Sequence, residues 1–350
     1  LRNVITVALI VAMAAMASGE FSTGGAELLK FKGYVISTFN MYGEELADGE
    51  PNSAFDVIAT VEWLPVLNDW VDAKIAFKSQ PTKYTGTYED LSLTTEDVAI
   101  FMHFTENLTF SMGHFKKPFG YNYFISGSSL FFRDRAMVAD MIGDFGKRDI
   151  GANLNADFGM VDIDLTYSNG EGDNEPEDDD LKNFNVRAMI YPTEGIMVGA
   201  AMGTNSEYAD STNQDTYSAT GMDFFATADF PLSATSDLHI AGEYLMIGDT
   251  MDDDIDYTDA SGYAFTVVAN FDLDGEMIQA VRPAIRYENI SPGYAGDEDP
   301  ENDMGAIDFC LNLDIYSSKN TAQIGMRNYS FQDEETDGYT DMYFGWRMKF

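Results

Sequence analysis

Ile307–Tyr316, IDFCLNLDIY, sets Ile307, Phe309, Leu311, Leu313 and Ile315 against Asp308, Cys310, Asn312, Asp314 and Tyr316. Side chains alternate across an extended chain, so this segment is a strand with one apolar and one polar face. Beyond the short link Ser317–Ser318 another such segment follows. The chain then closes on Met342, Phe344, Trp346, Met348 and Phe350 opposite Asp341, Tyr343, Gly345, Arg347 and Lys349. Working back, Phe55–Trp63, Val71–Lys78 and Val161–Ser168 repeat the period of two. About sixteen strands are predicted, with ends uncertain by a few residues. They lie near 27–40, 53–64, 69–78, 91–104, 107–117, 149–157, 160–168 and 181–191. The rest lie near 196–204, 216–230, 236–247, 261–273, 276–289, 304–316, 319–330 and 339–350.

The links between these segments alternate in length. Pro65–Asn68, Thr105–Glu106, Phe158–Gly159, Pro192–Gly195, Pro231–Thr235, Asp274–Gly275 and Ser317–Ser318 are short. Met41–Asn52, Ser79–Asp90, Pro118–Arg148, Asn169–Asp180, Asn205–Asp215, Gly248–Asp259, Ile290–Asp303 and Phe331–Gly338 are long. Short turns at one end and long loops at the other, with an even strand count, are features of a closed outer-membrane barrel. A soluble β-protein with its polar face outside has the same alternation. It has no reason to keep every long loop at one end.

Composition and the N-terminal residues agree with export. Arg2, the apolar run Val4–Met16 and Ala15-Met16-Ala17 make residues 1–17 read as a signal peptide. Residues 18–350 then form one barrel domain. Past residue 17 no apolar run reaches the roughly 18 residues of a membrane helix, so a membrane would be crossed by strands. The net charge of -39 and a pI near 4.1 exclude nucleic acid as a partner. The lone Cys310 leaves no intrachain disulfide. His103, His114 and His239 are scattered without metal-site spacing, and no nucleophile elbow, phosphate loop or CxxCH is present. The acidic runs Glu171–Asp180 and Met251–Asp256 lack the glycine and terminal Glu of an EF-hand and read as solvated loops. No enzymatic activity, metal or cofactor is expected.

Pro118–Arg148, PFGYNYFISGSSLFFRDRAMVADMIGDFGKR, is the longest interval without an alternating strand. Its aromatic content is not that of a disordered linker. As the third outer loop, it is expected to fold into the barrel and narrow it. It carries Arg133, Arg135, Lys147 and Arg148. On strand faces assigned to the lumen stand Lys74, Arg187, Arg282, Arg286 and Arg327, with Asp72, Asp162, Asp164, Asp308 and Asp314 as acidic candidates. Two signs on one wall make either a transverse field across a pore or a paired network that braces it. The loop arginines, likewise, either filter ions or pin the loop.

Met112–Gly120, MGHFKKPFG, resembles the G-x-F-K-x-P-F-G segment of the phosphate-selective porins O and P. Phe132–Arg135, FRDR, and Arg148–Gly151, RDIG, continue the resemblance. It implies a sixteen-stranded homotrimeric porin of the Gram-negative outer membrane, with the third loop in the pore. The partners it implies are membrane lipid, lipopolysaccharide and small solutes in transit. The terminal Phe350 looks like the aromatic assembly signal of such barrels. Anion-selective members carry an arginine ladder and a lysine cluster. The candidates here are Arg133 and Arg135 on the loop and Arg282 and Arg286 on the wall. Because the outer loops are acidic, a general or cation-preferring channel stands beside phosphate selectivity. The alternative outside the channel class is a closed barrel serving as surface scaffold, adhesin or sleeve of an electron-transfer complex.

Overall fold

The computed structural model describes residues 30–43, 53–84, 87–170, 181–210, 215–249, 260–291, 303–331 and 338–350. The expected signal peptide and both acidic runs lie outside the described residues. The first strands are β1 (Phe31–Met41), β2 (Ser53–Trp63), β3 (Val66–Asn68), β4 (Val71–Tyr84), β5 (Thr87–Thr105) and β6 (Leu108–Lys116). Next come β7 (Arg148–Asp157), β8 (Val161–Ser168), β9 (Asn183–Thr193), β10 (Ile196–Asp210), β11 (Asp215–Ser233) and β12 (Ser236–Asp249). The last are β13 (Ala260–Asp272), β14 (Ile278–Ser291), β15 (Met304–Ile315), β16 (Asn320–Phe331) and β17 (Thr340–Lys349). The three-residue β3 belongs to the turn between β2 and β4; the other sixteen make the wall.

Each wall strand pairs antiparallel with its neighbours in sequence, and β1 pairs with β17, so the sheet closes on itself. The ring is sealed where Phe350 N–H donates to Gly33 O at 3.1 Å and Gly33 N–H donates to Phe350 O at 3.2 Å. A Cβ on Gly33 would stand 2.6 Å from the Phe350 ring, so the seam needs a glycine there. Closure leaves no strand edge bare, which is what lets a sheet live in lipid. Among the described residues no helix is long and apolar enough to cross a membrane.

The predicted faces hold along the wall. On β17, Met342, Phe344, Trp346 and Met348 are exposed, while Asp341, Tyr343 and Arg347 are buried. On β15, Ile307, Phe309 and Leu311 are exposed and Asp308, Asn312 and Asp314 are buried. The apolar row is the exposed one and the polar row is buried, the reverse of a soluble domain. Several strands outrun their predicted ends. β10 reaches 15 residues and β5 and β11 reach 19, because the antiparallel ladder continues into the long connections. Arg148, expected at the end of the long loop, is the first residue of β7.

Candidate functional site

The connection between β6 and β7 carries a 3₁₀ turn at Gly127–Ser129 and helical turns at Met137–Met141 and Gly143–Gly146. It packs against the polar face of the wall. Phe119, Ala136, Val138, Ile142 and Phe145 are buried with Ala201, Ala219, Leu245 and Ala264 of β10 to β13. The seat works because the wall side chains there are small. Cβ atoms on Gly203 and Gly221 would lie 3.2 and 3.1 Å from the Phe119 ring, and one on Gly262 would lie 2.8 Å from Met141 Sδ.

Polar wall groups serve the segment's backbone. Glu243 accepts from Tyr121 N–H at 2.5 Å, Asn122 N–H at 2.9 Å and the Asn122 side-chain amide at 2.5 Å. Glu288 accepts from Met137 N–H at 2.6 Å, and Arg286 Nη1 donates to Asp134 O at 3.2 Å. Asn312 Nδ2 donates to Phe131 O at 2.9 Å, Arg347 Nη1 to Ser128 O at 2.8 Å and Asn185 Nδ2 to Phe145 O at 2.5 Å. An irregular backbone taken out of water needs such partners, and here one strand after another supplies them.

The loop arginines divide their bonds between carboxylates and carbonyls. Arg135 donates to Asn122 O at 2.5 Å and Ile125 O at 2.6 Å, inside the segment itself. Burial draws its guanidinium below the ordinary arginine range. Arg133 bonds Asp134 Oδ2 at 2.5 Å and Asn40 Oδ1 at 2.9 Å. Burial works against its charge, but Asp134 more than offsets that and holds it above the ordinary value. Burial also pushes the Tyr121 phenol up to about 12. Lys147 is exposed at the end of the segment and lines no part of the cavity described below.

The wall candidates form ion pairs. Arg187 holds Asp164 at 2.7 Å through Nη2, with its guanidinium 4.1 Å from the Phe124 ring centre. Arg286 holds Asp308 at 2.6 Å, and Arg327 holds Glu288 at 2.5 Å and Asp308 at 3.6 Å. This four-residue knot on β14, β15 and β16 lies behind the segment. Arg282 pairs with Asp314 at 2.6 Å in a separate small cavity beside the β13–β14 turn. Asp162 accepts from Asn155 at 2.6 Å, and Asp72 meets His103 at 3.1 Å. Of the two arrangements expected for the wall charges, these contacts are those of the paired network.

A cavity of about 600 Å³ remains between the segment and the wall of β1, β2, β4, β5, β6, β7 and β8. Of the sequence candidates, Arg133, Arg135, Arg148, Lys74 and Asp164 line it; the others do not. Along its wall runs a ladder. Lys32 meets Glu62 at 3.1 Å, Glu62 meets Lys74 at 3.6 Å, Lys74 meets Asp97 at 2.7 Å, and Asp97 meets Arg148 at 3.0 Å. Arg148 also reaches Glu96 at 3.4 Å. Lys116 donates to Tyr123 O and lies 4.3 Å from the centre of that ring.

Sequence reasoning missed Glu96, Asp97 and Lys116 as lining residues. The register against β4 shifts between Ala76/Asp97 and Phe77/Thr95, so Glu96 is an extra residue that brings two consecutive acids to the cavity. A strict period of two hides that.

Comparison with known proteins gives three kinds of result. No curated protein matches. Among solved structures, the outer membrane channel DcaP of Acinetobacter baumannii superposes with TM-score 0.60 at 14% identity, over 95% of this chain and 99% of that one. An anion-selective porin from Comamonas acidovorans gives 0.60 at 9%, over 92% and 99%. OmpT of Vibrio cholerae in its trimer form gives 0.56 at 10%, over 92% and 98%. At these identities the likeness is one of fold. The profile of the phosphate-selective porin O and P family matches residues 68–296, more than half of the chain and the part that holds the β6–β7 segment. With that match on a closed sixteen-stranded barrel, the chain belongs to the phosphate-selective porin O and P family, channels of the Gram-negative outer membrane for small solutes.

Proposed function

We propose that the 117–147 segment lies in the lumen as a constriction, and that solutes pass through the cavity left between it and the wall of β1 to β8. The observation that carries this is the lining of that cavity, nine of its 26 residues from the segment and the rest from the wall strands. One segment also bonds the same face of β1, β9, β12, β14, β15 and β17, which in a closed sheet supports a position inside it.

The passage differs in charge from the whole chain. Lys32, Lys74, Lys78, Lys116, Arg133, Arg135 and Arg148 line it against Glu62, Glu96, Asp97, Asp134 and Asp164, seven basic and five acidic residues. The chain as a whole has 20 basic and 59 acidic residues. Arg135 bonds backbone carbonyls rather than carboxylates, so much of its field acts on the passage. The channel is therefore a general one that admits ions of both signs, with a mild preference for anions at the narrowest point and no dedicated phosphate site.

Reversal potentials of single channels in a salt gradient test this. A small shift toward the anion potential, unaltered by added phosphate, is expected. Strong cation selectivity, or block by phosphate, would overturn it. A folded, heat-modifiable protein that never conducts would favour the scaffold instead. The lipid-facing row is proposed to meet membrane lipid and lipopolysaccharide. A homotrimer, supported by the OmpT trimer form, is proposed as the assembly; mass analysis in detergent tests it.

A further inference from the structure

One carboxyl on the wall has neither a hydrogen-bond donor nor a basic partner among the described residues. Asp223 on β11 is fully buried, and neither carboxyl oxygen has a hydrogen-bond partner. Its neighbour is Glu243 on β12, itself an acceptor. A Cβ on Gly120 would stand 2.9 Å from Glu243 Oε1 and 3.5 Å from Asp223 Oδ2, so the two oxygens flank one point. Gly120 has φ +69, and with its neighbours it closes over the pair. Neither acid lines the passage. Glu243 has its donors, the three from Tyr121 and Asn122 already described.

Two acceptors in contact, out of water, require a hydrogen between them or they repel. We propose that Asp223 and Glu243 share one proton, and that this proton is part of the fastening that holds Gly120–Asn122 to the wall and so sets the bore of the channel. This deepens the constriction just proposed and rests on it. The other titratable group facing the pair is Tyr121 from the segment, whose backbone N–H Glu243 accepts. Among the described residues no lysine or arginine acts on Asp223. Lifting the segment lets water reach both acids, which then ionise as ordinary carboxyls do, and the proton leaves to solvent. Opening therefore releases a proton, and rising pH favours it.

The test combines infrared spectroscopy with single-channel conductance across neutral to alkaline pH, on the folded protein and on Asp223→Asn. The amide keeps a donor toward Glu243 without titrating. In the parent, a protonated-carboxyl C=O band is expected at neutral pH, lost on alkalinisation as conductance rises. Asp223→Asn should lack the band and hold the low-pH conductance throughout. If that variant does not reach the heat-modifiable folded form, Glu243→Gln, which leaves Asp223 in place, should shift the band and flatten the pH response. Absence of the band, or one pH course shared by parent and variant, would overturn the proposal. A band without any conductance change would overturn the fastening alone. The constriction is judged separately, by whether loosening the apolar seat alters conductance.

Discussion

Phe119→Ala removes the residue at the centre of the apolar seat. The ring is fully buried, stacked on Phe145 with centroids 5.5 Å apart, and fills space left open at Gly203 and Gly221. Burial of a phenylalanine side chain is worth about 2–3 kcal/mol, and the ring pair adds about 0.5–1.5 kcal/mol. The remaining void brings the total near 3–5 kcal/mol, the usual range for such truncations. That loss falls on the segment's attachment rather than on the wall, whose hydrogen-bonded ladder it does not touch. The segment should therefore loosen before the barrel melts. Single channels should show higher mean conductance with more open-channel noise, while the heat-modifiable gel shift stays near the parent temperature. Unchanged conductance and noise would refute the reasoning, because the seat would then hold nothing that matters to the passage. A fall in barrel melting without any conductance effect would refute it as well. Gly221→Ala should act in the same direction, since its Cβ would meet Phe119 and Phe145 at 3.1 Å.

Three further outcomes are expected. Arg187→Ala strands buried Asp164 without its cation and should cost about 3–5 kcal/mol in urea unfolding, with Arg187→Lys costing less. Arg135→Ala should move the reversal potential in a salt gradient toward cations, and an unchanged potential would remove Arg135 from the set that governs the passage. Deleting Phe350 removes two seam hydrogen bonds, each worth about 0.5–1.5 kcal/mol, and should slow appearance of the folded gel form in refolding experiments.

The strand pattern was legible because its cause is local. A residue's face on a strand depends only on its parity, so Phe344 outward and Tyr343 inward follow from their neighbours. Turn lengths are local too, and their alternation separates a membrane barrel from a soluble sheet of equal periodicity. The motif residues around Met112–Gly120 pointed to the right family. They did not say why Gly120 is a glycine. That reason is a φ of +69 and a position where a Cβ would meet Ile142 Cδ1 at 2.6 Å and Glu243 Oε1 at 2.9 Å, the latter 123 positions away in sequence.

What the tertiary structure alone decided was partnership. Arg133, Arg135, Arg282, Arg286 and Arg327 look alike in sequence, yet three meet wall carboxylates, one meets the acid beside it in the chain, and Arg135 meets carbonyls of its own segment. The bulge at Glu96 and the small residues beneath Phe119 become a wall and a seat only once strands distant in sequence are paired. Parity is carried by one residue and its neighbours, whereas an ion pair, a seat or a passage is carried by residues that only the closed sheet brings together.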